Sequence, residues 1–263
     1  MKRKLLFMCV ALFTIKGYTQ DSIVNYLDRK GKSTTMLLAK IIETKVKKED
    51  SIWEHSRYDY KGKLRSIHYH KTKESKKKVG QSIIYTGKGV MISLSFNDIN
   101  GLKEGKDQTW FYDGSRGSDG RYIKDKREGL WMYYHFNGNI ASKLYYKNDS
   151  ILKSIIYDET GKKINKELVK NKKATFKGGK KKFYKKVKKI VNNIGYKVKG
   201  KVYVNFIIDV DGRIKNVSIE NKLEKKLEKQ IIAFFENIKG WSPVIHMNRK
   251  YPRSYNITLN FSK

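Results

Sequence analysis

The sequence predicts a mostly β N-terminal repeat region of antiparallel hairpins, followed by an α+β C-terminal domain with two helices on a three-stranded antiparallel sheet. Strand alternation around an Asp-Gly turn in residues 200–220, helical spacing on both sides of it, and recurrent aromatic and glycine residues before position 167 all point to this division. The predicted segments are a signal peptide at 1–20, the repeats at 21–166, a connector at 167–175 and the C-terminal domain at 176–263.

The segment 200–220 has the pattern of a β-hairpin. Its first strand carries an apolar residue at every second position: Val202, Val204, Phe206, Ile208. Asp211 and Gly212 follow, and both residue types tolerate the backbone of a tight turn. On the return strand the apolar spacing slips by one: Ile214, Val217, Ile219. Such a slip predicts a bulge in the second strand.

Helical spacing flanks the hairpin. The first helix is predicted from apolar residues at steps of three, four and one, with Gly195 at its end: Phe183, Val187, Ile190, Val191, Ile194. A second helix is predicted over 223–238, and Trp241-Ser242-Pro243 ends it. The last strand alternates apolar residues: Tyr255, Ile257, Leu259, Phe261. The element order is therefore helix, strand, strand, helix, strand.

The region before residue 167 repeats a short aromatic unit that ends in glycine. Its turn glycines are 25, 27, 24 and 23 residues apart, as in stacked supersecondary units: Gly62, Gly87, Gly114, Gly138, Gly161. This spacing predicts one hairpin per repeat, with aromatic side chains stacked on one face and glycine at the turn. Before the repeats, residues 24–31 predict a strand and a turn, whereas residues 36–42 fit a helix or a strand.

The clearest copies are residues 104–114 and 128–138, which are offset by 24 positions. The motif Gly129-Leu130-Trp131-Met132-Tyr133-Tyr134 resembles the core of MORN-type repeats, and the resemblance extends loosely over residues 51–164. It implies an elongated β-sheet surface that is used for binding. The alternative is an aromatic-rich antiparallel sheet of another kind.

Four landmarks in the last third of the chain resemble the C-terminal domain of TonB-type energy transducers. They are Phe176-x-Gly178-Gly179, Gly200-x-Val202-x-Val204-x-Phe206 with Asp211-Gly212, Trp241-x-Pro243, and Leu259-x-Phe261. The resemblance covers residues 176–261. It implies a periplasmic domain of a Gram-negative bacterium that recruits extended segments of outer-membrane receptors by adding a strand to its sheet. The last strand is the edge that it assigns.

Two features depart from a transducer of transmembrane transport. Such a protein needs an uncleaved membrane helix and a long proline-rich spacer, whereas this chain has an apolar run of 11 residues at 5–15 and two prolines, both after residue 240. With the basic residues at 2–4 in front of it, the short run predicts a secretory signal. Cys9 lies inside the run, so the mature protein is expected to hold no cysteine and no disulfide.

The formal charge of the chain is +34, and Lys supplies 49 of the 59 basic residues. Lys is a solvated point charge, whereas reading of bases or phosphates uses the planar Arg fork. The composition therefore fits either solvated lysine-rich faces or attraction to an anionic envelope polymer or lipid surface. Nucleic acid is the least favoured partner.

Three motifs in the sequence have residue types that can serve metal or phosphate binding. His68 and His70 share one face of a predicted strand, but no third ligand is near in sequence. The run 209–212 begins like a calcium loop with Glu220 at the twelfth position, yet strand alternation runs through it and favours a turn. The glycine-rich run 114–120 predicts a long loop without phosphate-cradle context. With no nucleophile motif, we expect no catalytic residue, cofactor or metal.

These observations favour a non-enzymatic periplasmic binding or adaptor protein. We expect envelope proteins as partners, including receptor segments, and an anionic envelope polymer or lipid in addition. The partner-binding residues that the pattern predicts are the last strand and two arginines before it: Tyr255, Ile257, Leu259, Phe261, Arg249, Arg253. The alternatives are a TonB-type energy transducer and an enzyme that acts on an acidic cell-wall polymer.

Overall fold

A computed structural model describes residues 21–48, 52–168, 171–193, 199–221 and 223–262. It confirms the mostly β N-terminal region of antiparallel strands and the two helices in the second part of the chain. The predicted signal peptide and the helix end at Gly195 lie outside the described residues. In the part that is described, neither helix has the length and apolar character needed to cross a membrane.

The N-terminal unit is one twelve-stranded sheet in which every strand is hydrogen-bonded to the strands next to it in sequence. Its strands are β1 (Ser22–Leu27), β2 (Ile41–Lys47), β3 (Trp53–Asp59), β4 (Leu64–His70), β5 (Lys78–Tyr85), β6 (Met91–Asn97), β7 (Gly105–Trp110), β8 (Arg116–Ile123), β9 (Lys126–Tyr134), β10 (Ile140–Lys147), β11 (Ser150–Tyr157) and β12 (Lys163–Ile164). Between β1 and β2, residues Met36–Leu38 form a single 3₁₀ turn. The segment that fitted helix or strand is therefore a turn followed by β2.

The predicted turn glycines lie in turns at one end of the strands of this sheet. Gly62, Gly114, Gly138 and Gly161 have φ between +75° and +91°, a conformation that costs glycine little. Each of their amides donates to the carbonyl three residues earlier, as Gly62 N does to Asp59 O at 2.9 Å. In the second of the five turns, between β5 and β6, the positive φ falls on Gly89 instead of the predicted position 87.

The glycine-rich run 114–120 is not a long loop. Gly114 ends a turn, and residues from Arg116 onward belong to strand β8. A side chain at Gly117 would lie 2.8 Å from Thr109 Oγ1, and one at Gly120 would lie 2.1 Å from the Trp131 ring. These glycines leave space for residues on the neighbouring strands. Because glycine is typical of loops, the sequence pattern alone predicted a loop where the glycines in fact belong to a strand.

The elements of the C-terminal unit follow in order. They are β13 (Thr175–Phe176), α1 (Gly179–Asn193), β14 (Lys199–Ile208), β15 (Ile214–Ile219), α2 (Lys225–Glu236), β16 (Trp241–Ser242), β17 (Val244–His246), β18 (Arg249–Tyr251) and β19 (Arg253–Ser262). Strands β15, β14 and β19 form an antiparallel sheet in that order, β13 pairs with β16, and β17 pairs with β18.

The predicted slip on the return strand is a bulge. The β14–β15 register jumps between Asn205, opposite Ser218, and Ile207, opposite Lys215. Two residues of β15 therefore oppose Phe206, and one of them, Asn216, has a φ of +52°. The bulge lets apolar residues on both sides of it reach the same core.

The core of the C-terminal unit joins the helices to the sheet. Phe183 and Val187 from α1, and Ile231 and Phe235 from α2, are buried with the alternating apolar residues of β14. Trp241 packs on this core with its ring centroid 4.9 Å from that of Phe183.

Candidate functional site

Strand β19 is an edge strand. It pairs along ten positions with β14, from Arg253 opposite Ile208 to Ser262 opposite Lys199, and within the described residues it has no second neighbouring strand. An unpaired strand edge presents a row of backbone donors and acceptors that can hold another extended chain.

The direction of these backbone groups follows from the β14 ladder. Glu220 N donates to Tyr203 O at 3.1 Å, so the backbone of Tyr203 faces β15. Because backbone groups alternate along a strand, Val202 and Val204 face β19 and bond to Leu259 and Ile257. The N–H and C=O groups of the intervening β19 residues then point outward: Ser254, Asn256, Thr258, Asn260.

Side-chain directions on β19 agree with this assignment. Ile257, Leu259 and Phe261 are buried in the core of the unit, and Tyr255 packs against it. The four intervening residues, 254, 256, 258 and 260, have exposed side chains. The sequence pattern named the core-facing residues of the strand. The groups that could touch a partner belong to their neighbours, and only the pairing partners of β14 reveal them.

The other edge of the three-stranded sheet, strand β15, lies against the N-terminal unit. Lys88 Nζ, in the turn between β5 and β6, donates to Asn216 Oδ1 at 3.1 Å. Arg29, in the loop after β1, forms an ion pair with Glu220, and its guanidinium lies 3.2 Å from the centroid of the Tyr203 ring. These contacts place β15 beside the loop between β1 and β2 and the turn between β5 and β6.

The two predicted arginines occupy different environments. Arg253, at the start of β19, is exposed. Arg249 is 2% exposed, and its guanidinium carbon lies 5.6 Å from the Phe111 ring, 5.1 Å from that of Tyr133 and 5.4 Å from that of Tyr251. Burial lowers the pKa of Arg249 to about 10, so the group stays charged at neutral pH. Arg249 thus lies in the interface between the units.

The hairpin of β17 and β18 carries Arg249 onto the N-terminal sheet. Met247, at its turn, packs on the hydrophobic cluster of Trp131, Tyr133, Leu144 and Tyr146, and Ser142 Oγ donates to Met247 O at 3.4 Å. The connector joins the same interface, because Lys172 and Ile245 exchange two backbone hydrogen bonds of 2.9 Å.

The acidic turn of the central hairpin is also part of this interface. Asp209 is fully buried and forms an ion pair with Lys215, which raises the pKa of that lysine. Tyr112, from the turn between β7 and β8, faces Asp209. Burial, followed by the negative charge of Asp209, raises the pKa of this tyrosine. Glu220, which would be the twelfth residue of a calcium loop, follows strand β15. It accepts a hydrogen bond from Asn205 and forms the ion pair with Arg29.

A histidine cluster lies on the N-terminal sheet. His68 and His70 of β4 share one face, as predicted, and His55 of β3 pairs directly with His68. The His55 and His70 rings stack with centroids 4.1 Å apart. Sequence reasoning missed His55, since the pairing of β3 with β4 brings it there. Among the described residues, no group of three or more His, Cys, Asp or Glu side chains is arranged to hold a metal ion.

The cluster predicts a loss of stability in acid. Burial lowers the pKa of His55 and of His68 to about 4, and the charge of Lys78 adds to the effect at His68. Between pH 6.5 and about 4 the folded state therefore binds fewer protons than the unfolded chain. The free energy of unfolding is highest above pH 6.5 and falls as the pH drops from 6.5 to about 4. We expect denaturant unfolding to show a loss of about 1–2 kcal/mol per ring.

The matched variants for this prediction are His55→Gln with His68→Gln, and Ser82→Ala. Ser82 lies opposite His68 on β5 and is buried but does not titrate in this range. The histidine variant should reduce the pH dependence between 6.5 and 4 and leave a part that comes from His70, whose pKa burial also lowers, whereas Ser82→Ala should keep the full dependence. An equal slope in all three proteins would contradict the assignment.

Two surface clefts of about 340 and 390 Å³ lie on the N-terminal sheet, at the β11–β12 edge and around Gly120. The first is lined by lysine and isoleucine residues together with Ser154 and Asn165, and the lining of the second includes one carboxylate, Asp119, and two basic residues, Lys106 and Arg121.

Comparisons of this chain with protein-family models, with curated proteins and with solved structures find no match.

Proposed function

We propose that this protein is a non-enzymatic binding or adaptor protein of the bacterial cell envelope. It holds an extended segment of a partner protein as an added strand beside β19. The observation that carries the proposal is the outer edge of β19, where residues 254, 256, 258 and 260 combine outward backbone groups with small, exposed polar side chains. Backbone pairing makes little demand on the partner's sequence.

The surroundings of the edge support this mode. Two helices and one face of the β15–β14–β19 sheet share a core, which keeps β19 rigid while its edge stays free. The contacts of Lys88 and Arg29 hold β15 against the N-terminal unit, so β19 is the more accessible of the two edges of the three-stranded sheet. The TonB-like landmarks at 176–261 agree with strand addition and with a periplasmic location.

The N-terminal sheet has the role of a second surface in this proposal. Its resemblance to MORN-type repeats and its many lysines favour an anionic envelope component as the ligand. The two units are joined through Arg249 and the β17–β18 hairpin, so a partner strand on β19 and a ligand on the sheet would be held in a fixed relation.

The test of this function is a proline at Thr258. Proline removes one outward N–H and adds a ring at the edge, while the bonds between β14 and its β19 partners remain. We expect Thr258→Pro to reduce the retention of envelope proteins by the immobilised full chain roughly tenfold. The matched control is Thr258→Val, which keeps the N–H and suits a strand.

Retention is measured by quantitative mass spectrometry at moderate salt and at about one molar salt, where the Debye length is about 3 Å. Circular dichroism and the unfolding midpoint establish that both variants are folded. Equal retention by Thr258→Pro and Thr258→Val, or retention that disappears for all proteins at high salt, would refute strand addition and leave a charge effect.

A further inference from the structure

The loop between β1 and β2 ends in an exposed apolar tip, formed by Met36, Leu37 and Leu38. Their exposed fractions are 70%, 95% and 66%. Exposed apolar residues that stand alone are ordinary, but three consecutive large ones at the end of a loop form a patch that folding does not use.

Backbone hydrogen bonds hold the tip in this exposed position. Leu38 N donates to Thr35 O at 3.1 Å and Ala39 N to Met36 O at 3.3 Å, which closes the 3₁₀ turn. Lys40 N donates to Leu27 O at 2.8 Å, and Ala39 is buried beneath the turn. The outward direction of the three side chains is therefore set by the fold.

Lysines are frequent in the loop that carries the tip and in the neighbouring turn between β3 and β4, at the same end of the strands. We call these residues the basic rim: Lys30, Lys32, Lys40, Lys61, Lys63. Tyr60, in the turn between β3 and β4, is 39% exposed, and its ring centroid lies 5.4 Å from Lys40 Nζ and 5.5 Å from Lys61 Nζ. The nearby carboxylates of Asp28 and Asp59 accept backbone N–H groups of their own turns.

We propose that the apolar tip inserts into the surface of an anionic lipid bilayer. The order of residue types fits this environment: aliphatic side chains at the end of the loop, a tyrosine at the boundary, and lysines at the level of the headgroups. Each lysine near an anionic membrane adds to the attraction, and the long lysine stem lets its charge reach the headgroups. This site is separate from the β19 edge and does not depend on the proposed strand addition.

Charge decides between a membrane and a second copy of the chain. Two copies that met at their tips would bring two basic rims together, and like charges at close range oppose association. An anionic bilayer offers both an apolar interior for the tip and negative charge for the rim. An anionic lipid surface is therefore the partner that fits both the apolar tip and the basic rim.

The test is sedimentation of the expected mature protein, residues 21–263, with vesicles of phosphatidylcholine that contain about one third phosphatidylglycerol, compared with pure phosphatidylcholine. We expect the wild type to sediment with the anionic vesicles and much less with the neutral ones. Leu37→Asn with Leu38→Asn should lower the partition coefficient at least roughly tenfold, since two leucine side chains no longer leave water. The control is Ile151→Asn with Leu152→Asn, which removes exposed apolar residues on β11 and keeps the charge.

A fluorescent label reports insertion at the tip itself. Residues 21–263, the expected mature protein, contain no cysteine, so Leu37→Cys or Leu152→Cys provides a single thiol for an environment-sensitive dye. Anionic vesicles should raise and blue-shift the emission at position 37 and leave position 152 unchanged.

Three results would overturn the proposal. The first is equal binding by the wild type and the Leu37 and Leu38 variant, which would show attraction by charge alone. The second is an equal loss in the Ile151 and Leu152 control. The third is a concentration-dependent dimer, seen by analytical ultracentrifugation, that the tip variant abolishes while vesicle binding is absent, which would assign the tip to a second copy.

Discussion

Replacing Gly212 by alanine is expected to lower the free energy of unfolding by about 4 kcal/mol. Gly212 has a φ of +77° in the turn between β14 and β15, and this conformation costs a residue with a side chain roughly 1–2 kcal/mol. The added Cβ would also lie 2.2 Å from the carbonyl oxygen of Trp241. That oxygen belongs to the backbone of β16, so it cannot move aside as a flexible side chain would.

The consequence extends beyond the turn. Trp241 packs against Phe176, with centroids 5.2 Å apart, and against Phe183 at 4.9 Å. Moving the Trp241 backbone disturbs this cluster. Overpacking of such a core costs a further amount of about 1–3 kcal/mol. Equilibrium denaturation with guanidinium, followed by circular dichroism, measures the loss.

Gly62→Ala is the matched control for Gly212→Ala. Its φ is +75°, almost the same, but an added Cβ there meets nothing within 4 Å. The control isolates the backbone strain, about 1 kcal/mol, from the clash. Similar losses in the two variants would mean that the Trp241 carbonyl does not restrict the turn.

Replacing Gly120 by alanine is expected to cost about 3–5 kcal/mol, comparable to deleting a buried aromatic side chain. The new Cβ would lie 2.1 to 2.6 Å from three ring atoms of Trp131, which is 3% exposed. The indole cannot move away without losing contacts, because its Nε1 donates to Arg121 O at 3.1 Å and its ring packs on Tyr122 and Tyr133.

A double-mutant cycle identifies the indole as the cause. Trp131→Leu removes the ring atoms that meet position 120, so Gly120→Ala should cost much less in that background than in the wild type. The cycle is measured by denaturant unfolding, and the intrinsic fluorescence should change when the Trp131 ring leaves its site. If the cost of Gly120→Ala is the same in both backgrounds, the clash has another origin.

Local patterns allowed much of the C-terminal unit to be predicted. The alternation of Val202 and Val204, the turn at Gly212 and the slipped spacing of β15 are short-range features, and period and turn chemistry encode them within a few residues. The prediction of a long loop at 114–120 was wrong for a related reason. The glycines there serve Thr109 and Trp131 on other strands, and a local pattern contains no information about such neighbours.

The outer edge of β19 is a second feature that the local sequence pattern could not fully predict. Alternation identified the strand that ends in Phe261, but it selected the residues that pack inward. Which backbone groups point outward depends on the pairing of β14 with both β15 and β19, and which edge is free depends on Lys88 and Arg29 of the other unit.

By itself, the sequence determined the hairpin repeats, the two helices, the central Asp-Gly turn and the strong positive charge, since each depends on residue type and spacing along the chain. Tertiary structure alone decided that Arg249 is enclosed by three aromatic rings, that His55 joins His68 and His70, and that Met36–Leu38 remains exposed. The physical reason is that burial and pairing are properties of residues far apart in sequence, and they exist only once the strands have met.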